Sequence, residues 1–99
     1  MARVLLDLNN PIFQETWFSL DRPETLAVIA TLRKIRQLDW EQLYRDHGLR
    51  WEAILSGSGP TGQRIYSLRI TQRVRAVAYR DGQFLRFLSL HPDHDSAYT

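Results

Sequence analysis

Residues 64–90 read RIYSLRITQRVRAVAYRDGQFLRFLSL, three runs rich in β-branched, aromatic and leucine residues, separated by turn-forming residues. In such runs side chains alternate between two faces. Tyr66, Leu68 and Ile70 point one way and Ser67 and Arg69 the other, while Arg73 and Arg75 alternate with Val74 and Ala76. Asp81-Gly82 between the last two runs is a hairpin signal. Three consecutive antiparallel strands follow, and RWEAIL upstream (residues 50–55) reads as another, joined to them by the loop SGSGPTGQ.

The first half of the chain has helical signals instead. RVLLDL is a short strand, closed by Asn9-Asn10-Pro11, where Asn10 caps a helix and Pro11 takes its first position. Asp21-Arg22-Pro23-Glu24 breaks that helix and opens a second, in which Leu26, Ile29, Leu32, Ile35 and Leu38 recur every three residues as an expected core stripe. Asp39 then caps a short third helix that Gly48 is expected to stop. Helices first and strands afterwards argue an α+β fold: an N-terminal strand and helices packed on one face of a mostly antiparallel sheet of four to five strands.

A chain of 99 residues has room for one small domain, taken as residues 1–99. It contains no cysteine, which excludes disulfides, iron–sulfur clusters and thiolate zinc sites. No apolar run is long enough to span a membrane and no signal peptide is evident, so a cytoplasmic protein is expected. Charge is uneven. Residues 1–49 carry a net −1, whereas residues 50–99 carry +3, with seven arginines and no lysine. Arginine suits planar, bidentate phosphate recognition, so Arg69, Arg73 and Arg75 converging on the open face of the sheet would suit a polyanionic partner. Val77 and Tyr79 fall on the same side as Arg75 and blur that pattern.

The chain closes with HPDHDSAYT, residues 91–99. His91 and His94 have a spacing that two metal ligands could use, but Pro92 lies between them and further ligands are lacking, so no metal or other cofactor is assigned. A plain polar tail is one reading of this segment. Acid–base chemistry is the other: His94 titrates near neutrality, Asp93 and Asp95 flank it, and Tyr98 offers a ring and a hydroxyl. Cleaving RNA without a metal needs a group to deprotonate the attacking 2′-hydroxyl, cations to stabilise the phosphorane, and an acid for the leaving 5′-oxygen.

The order IYSLRI, VRAVAY, Asp-Gly hairpin, apolar strand and His/Asp ending with a tyrosine resembles the C-terminal half of the RelE/ParE superfamily of toxin–antitoxin toxins. The resemblance covers residues 64–98 in detail and residues 1–63 in layout only. It implies a RelE-like fold, neutralisation by a cognate antitoxin in a toxin–antitoxin hetero-oligomer, and, in the RelE-like branch, entry into the ribosomal A site with cleavage of mRNA. By position it implies that Arg75 stabilises the transition state, that Arg69 lies near the scissile phosphate, and that His94 and Tyr98 position substrate or transfer protons. Arg73, Arg64 and His91 would bind substrate. The lysines of the lysine-rich members are missing here, which leaves Glu52 as a candidate general base. A ParE-like DNA gyrase inhibitor and a non-catalytic binding domain are the alternative readings.

Overall fold

A computed structural model describes residues 2–92. Among these residues the chain runs β1 (Leu5–Asp7), α1 (Pro11–Ser19), α2 (Arg22–Ile35), α3 (Trp40–Arg45), β2 (Glu52–Ile54), β3 (Ile65–Arg69), β4 (Arg75–Asp81) and β5 (Phe84–His91). The sheet order is β1-β5-β4-β3-β2, antiparallel throughout except that β1 lies parallel to β5. The helices cover one face, as expected of an α+β fold.

Each helix starts where its cap dictates. The Asn10 side chain accepts from the backbone N–H groups of Ile12 and Phe13, and Asp21 accepts from Glu24 N–H. Asp39 and Gln42 form a reciprocal capping box. α3 ends at Arg45, before the expected stop at Gly48. The Asp46 carboxylate accepts from Leu49 N–H and from the Lys34 ammonium. That side-chain-to-backbone bond offers the chain an alternative to another helical turn.

The three-residue stripe of α2 does not form one core face. Val28, Leu32 and Ile35 are buried, whereas Leu26 is 54% exposed and Ile29 lies at the surface. At 3.6 residues per turn, positions nine apart are two and a half turns apart, so Leu26 and Ile35 face opposite ways. The buried set follows the i, i+4, i+7 pattern instead. It packs with Val4, Phe13, Leu43, Leu68, Ala76, Ala78, Leu85 and Phe87, where the Phe13 and Phe87 ring centroids are 5.0 Å apart.

Two details of β4 and β5 shape the other face. Their two-residue loop is Gly82-Gln83, with Asp81 paired to Phe84, so the turn sits one residue later than the Asp-Gly signal places it. Gly82 has φ +61°, a conformation that a side chain would strain. Further along, Ala78 pairs with Phe87 but Val77 pairs with Ser89, which leaves Leu88 as an extra bulged residue. Leu88 joins Val77, Tyr79, Ile54 and Ile65 in a second apolar cluster on the face away from the helices, and the extra residue turns Ser89 and His91 to that same face.

The facing of α2 is tested by two alanine substitutions. Leu32→Ala is expected to cost about 2–5 kcal/mol by removing buried methyl groups, and Leu26→Ala no more than about 0.5 kcal/mol. Urea unfolding of both variants checks this, and equal losses would contradict the assignment.

Candidate functional site

The open face of the sheet carries a polar row at the end where β4 begins. Strand pairing sets it: Arg69 lies opposite Arg75, and Arg75 lies opposite His91. Directly opposed residues on neighbouring strands project to the same face, with Cβ atoms about 4.5–5.5 Å apart. One step along the strands, Glu52 is paired with Ser67, Ser67 with Val77, and Val77 with Ser89. Glu52, Ser67, Arg69, Arg75, Ser89 and His91 therefore share one face, bordered by the Val77 apolar cluster.

Arg75 anchors this row. Only 3% of it is exposed, although a guanidinium stays charged at any ordinary pH. Its Nη2 donates to Ser67 Oγ at 3.1 Å and, at 3.5 Å, to the carbonyl of Arg50. Arg50 has φ +51°, the left-handed region that residues with a side chain seldom occupy. The Arg69 backbone N–H donates to Leu49 O at 2.6 Å and so ties the end of β3 to the same turn. Among the described residues, the ion pairs found involve neither Arg50 nor Arg69.

His91 Nε2 and Ser89 Oγ lie 2.8 Å apart. Partial burial holds the His91 pKa below its ordinary value of 6.5, which favours the neutral ring, able to accept a proton.

Two expected members stand elsewhere. Arg73 leaves the strand in the β3–β4 connection, and its Nε pairs with Glu24 at 3.3 Å, near the start of α2. The alternation that placed it beside Arg75 ends because β4 starts only at Arg75. Arg64 precedes β3 and is exposed at the opposite end of that strand from Arg69, roughly 17 Å along it at strand rise. Arg86, on the open face of β5, is held by Asp7 at 2.7 Å and Asp81 at 2.9 Å. Asn9 N–H and Arg86 together lower the Asp7 pKa. His94 and Tyr98 lie outside the described residues.

Sequence reasoning missed Arg50 and Ser67 as members of the site. Ser67 was legible as the small polar residue on the Arg69 face of β3, whereas nothing in the sequence marks the left-handed turn at Arg50. Among the described residues, no three His, Asp or Glu side chains gather in a way that could hold a metal ion. No helix there is long and apolar enough to cross a membrane.

Neither a protein-family model nor a curated protein matches this sequence. Among solved structures, the crystal structure of a copper-bound mutant toxin from Helicobacter pylori aligns over 97% of this chain and 98% of that chain, at 23% identity and a TM-score of 0.48.

The depressed His91 pKa has a consequence for stability. The folded state binds the proton less tightly than the unfolded chain, so His91's contribution is complete above the unfolded pKa near 6.5. It is lost as pH falls from there toward the folded value. Urea unfolding between about pH 7.5 and 5 is expected to show stability falling with pH, with a smaller slope in His91→Gln. An unchanged slope in the variant would refute the assignment.

Proposed function

We propose that this protein is the toxin of a type II toxin–antitoxin pair, a RelE-like member of the RelE/ParE superfamily that cleaves mRNA at the ribosome. The observation that carries the reading is the in-register row Arg69–Arg75–His91, with Arg75 buried and held by Ser67. Phosphoryl transfer from RNA to its own 2′-oxygen builds negative charge on a crowded phosphorus, and fixed cations at that position stabilise it. A guanidinium already desolvated and oriented reorganises little when the charge appears.

In the proposed reaction the 2′-oxygen bonds to phosphorus, the bond from phosphorus to the 5′-oxygen breaks, and a 2′,3′-cyclic phosphate and a free 5′-hydroxyl result. Arg75 and Arg69 stabilise the phosphorane. The proton of the 2′-hydroxyl goes to a base on the same face, for which neutral His91 and Glu52 are the candidates, and His94 or Tyr98 returns a proton to the leaving oxygen. The cognate antitoxin silences the protein by covering this face. The family resemblance of residues 64–98 supports the same reading independently of the geometry.

Arg75→Met separates catalysis from folding, because an apolar side chain of similar length suits a buried position while carrying no charge. Induction of the wild type without antitoxin is expected to arrest growth and to produce new mRNA 5′ ends. Arg75→Met is expected to fold with similar stability and relieve both effects, with His94→Ala weakening them. Arrest with intact transcripts and DNA damage would favour gyrase poisoning and overturn the nuclease reading.

A further inference from the structure

At the β2 edge of the sheet, α3 and the turn into β2 border a surface cleft of about 430 Å³. Tyr44, Arg45, His47, Arg50, Trp51 and Glu52 line it. Its aromatic members are held in place. Trp51 stacks on Tyr66 with ring centroids 4.4 Å apart and planes 18° from parallel. Tyr44 lies 5.9 Å from Trp51 and 5.6 Å from Trp40, and its hydroxyl accepts from Arg80 Nη1 at 2.8 Å. Yet Tyr44 remains 42% exposed. A ring clamped at its hydroxyl and open to solvent is a ready stacking surface, because little freedom is left to lose when a flat ligand covers it.

The charges around the cleft favour an anion-bearing ligand. Asp46, which also lines it, pairs with Lys34 at 3.0 Å; burial pushes its pKa up, but hydrogen bonds from Lys34 and Leu49 and the Lys34 charge outweigh that and hold it below the ordinary carboxylate value. Arg45 and Arg50 then stand on the rim against Glu52. The cleft lies round the β2 edge of the sheet from the row: Trp51 stacks on Tyr66 on the helix side, Glu52 pairs with Ser67 and shares the row's face, and the Arg50 carbonyl between the two sides accepts from Arg75.

Resting on the RNA-cleavage reading, we infer that this cleft binds the nucleobase of a nucleotide adjoining the one whose phosphate lies on Arg69 and Arg75. The base stacks on Tyr44 and Trp51, and Arg45 and Arg50 meet the neighbouring backbone phosphate. Stacking is tolerant of sequence but graded by ring size, so a purine is preferred there over a pyrimidine. The cleft volume falls in the range that holds a small-molecule-sized ligand.

Mapping mRNA 5′ ends after induction tests this in the whole protein. Wild-type cuts are expected to show a purine bias at one position flanking the cut. Tyr44→Ala should reduce that bias on the order of fivefold while cutting continues, and Tyr44→Phe, which keeps the ring but loses the Arg80 hydrogen bond, should reduce it less. Arg50→Asn, which tolerates a left-handed backbone, gives a second reading should Tyr44→Ala fail to fold, and is expected to weaken the bias as well. Cutting without any flanking bias, or a bias unchanged in both Tyr44→Ala and Arg50→Asn, would overturn the inference and leave the nuclease reading standing. Absence of cutting by the wild type would sink both.

Discussion

A permanently charged guanidinium is buried in the middle of a sheet at Arg75, and the organisation of the open face follows from how that charge is accommodated. Desolvating an ion costs several kcal/mol unless hydrogen bonds replace its water. Ser67, two residues before Arg69 on the adjacent strand, supplies one acceptor, and the Arg50 carbonyl supplies another. The residue that supplies the second acceptor has a left-handed backbone at the turn into β2, a conformation that costs about 1–3 kcal/mol for a residue with a side chain. An apolar residue often occupies such a position at lower cost, so stability alone does not call for a charge there, whereas the proposed chemistry does.

Sheet register then decides which side chains accompany Arg75. Pairing across β3, β4 and β5 aligns Arg69 and His91 with it without any contact having to be specified by a loop. The bulge at Leu88 brings Ser89 and His91 onto the face of the polar row, just beyond which Val77, Ile54 and Ile65 close over one another. Without the bulge, strict alternation from Arg86 would keep Leu88 on the open face but turn Ser89 and His91 toward the helices, away from Arg75. Arg86 at the far end of β5 is held by two carboxylates, so positive charge able to meet a phosphate concentrates at the β4 entrance.

Much of this was legible in the amino-acid order. The caps at Asn10, Asp21 and Asp39 could be read because a short polar side chain before a helical segment has few other uses, and each makes the expected bond. The period-two runs identified β3, β4 and β5, and with them the shared face of Arg69 and Arg75. Less legible was anything that depends on distant partners. Leu26 and Ile29 look like core residues until helical geometry turns them away from Ile35, and Arg73 looks like a strand residue until Glu24 draws it aside. The parallel placement of β1 against β5 and the left-handed turn at Arg50 are tertiary consequences with no local signature. His94 and Tyr98, which the sequence reading favours, lie outside the described residues, so the structure bears on Arg69, Arg75, His91 and Glu52.

The central claim is that the arginine row stabilises a phosphorane formed by attack of RNA's own 2′-oxygen. The most direct measurement is the chemistry of the ends left on RNA cut in cells carrying the induced protein. The account predicts 2′,3′-cyclic phosphate and 5′-hydroxyl termini, lost together in Arg75→Met. Termini with a 3′-hydroxyl and 5′-phosphate, or cyclic ends formed equally well by the variant, would contradict it.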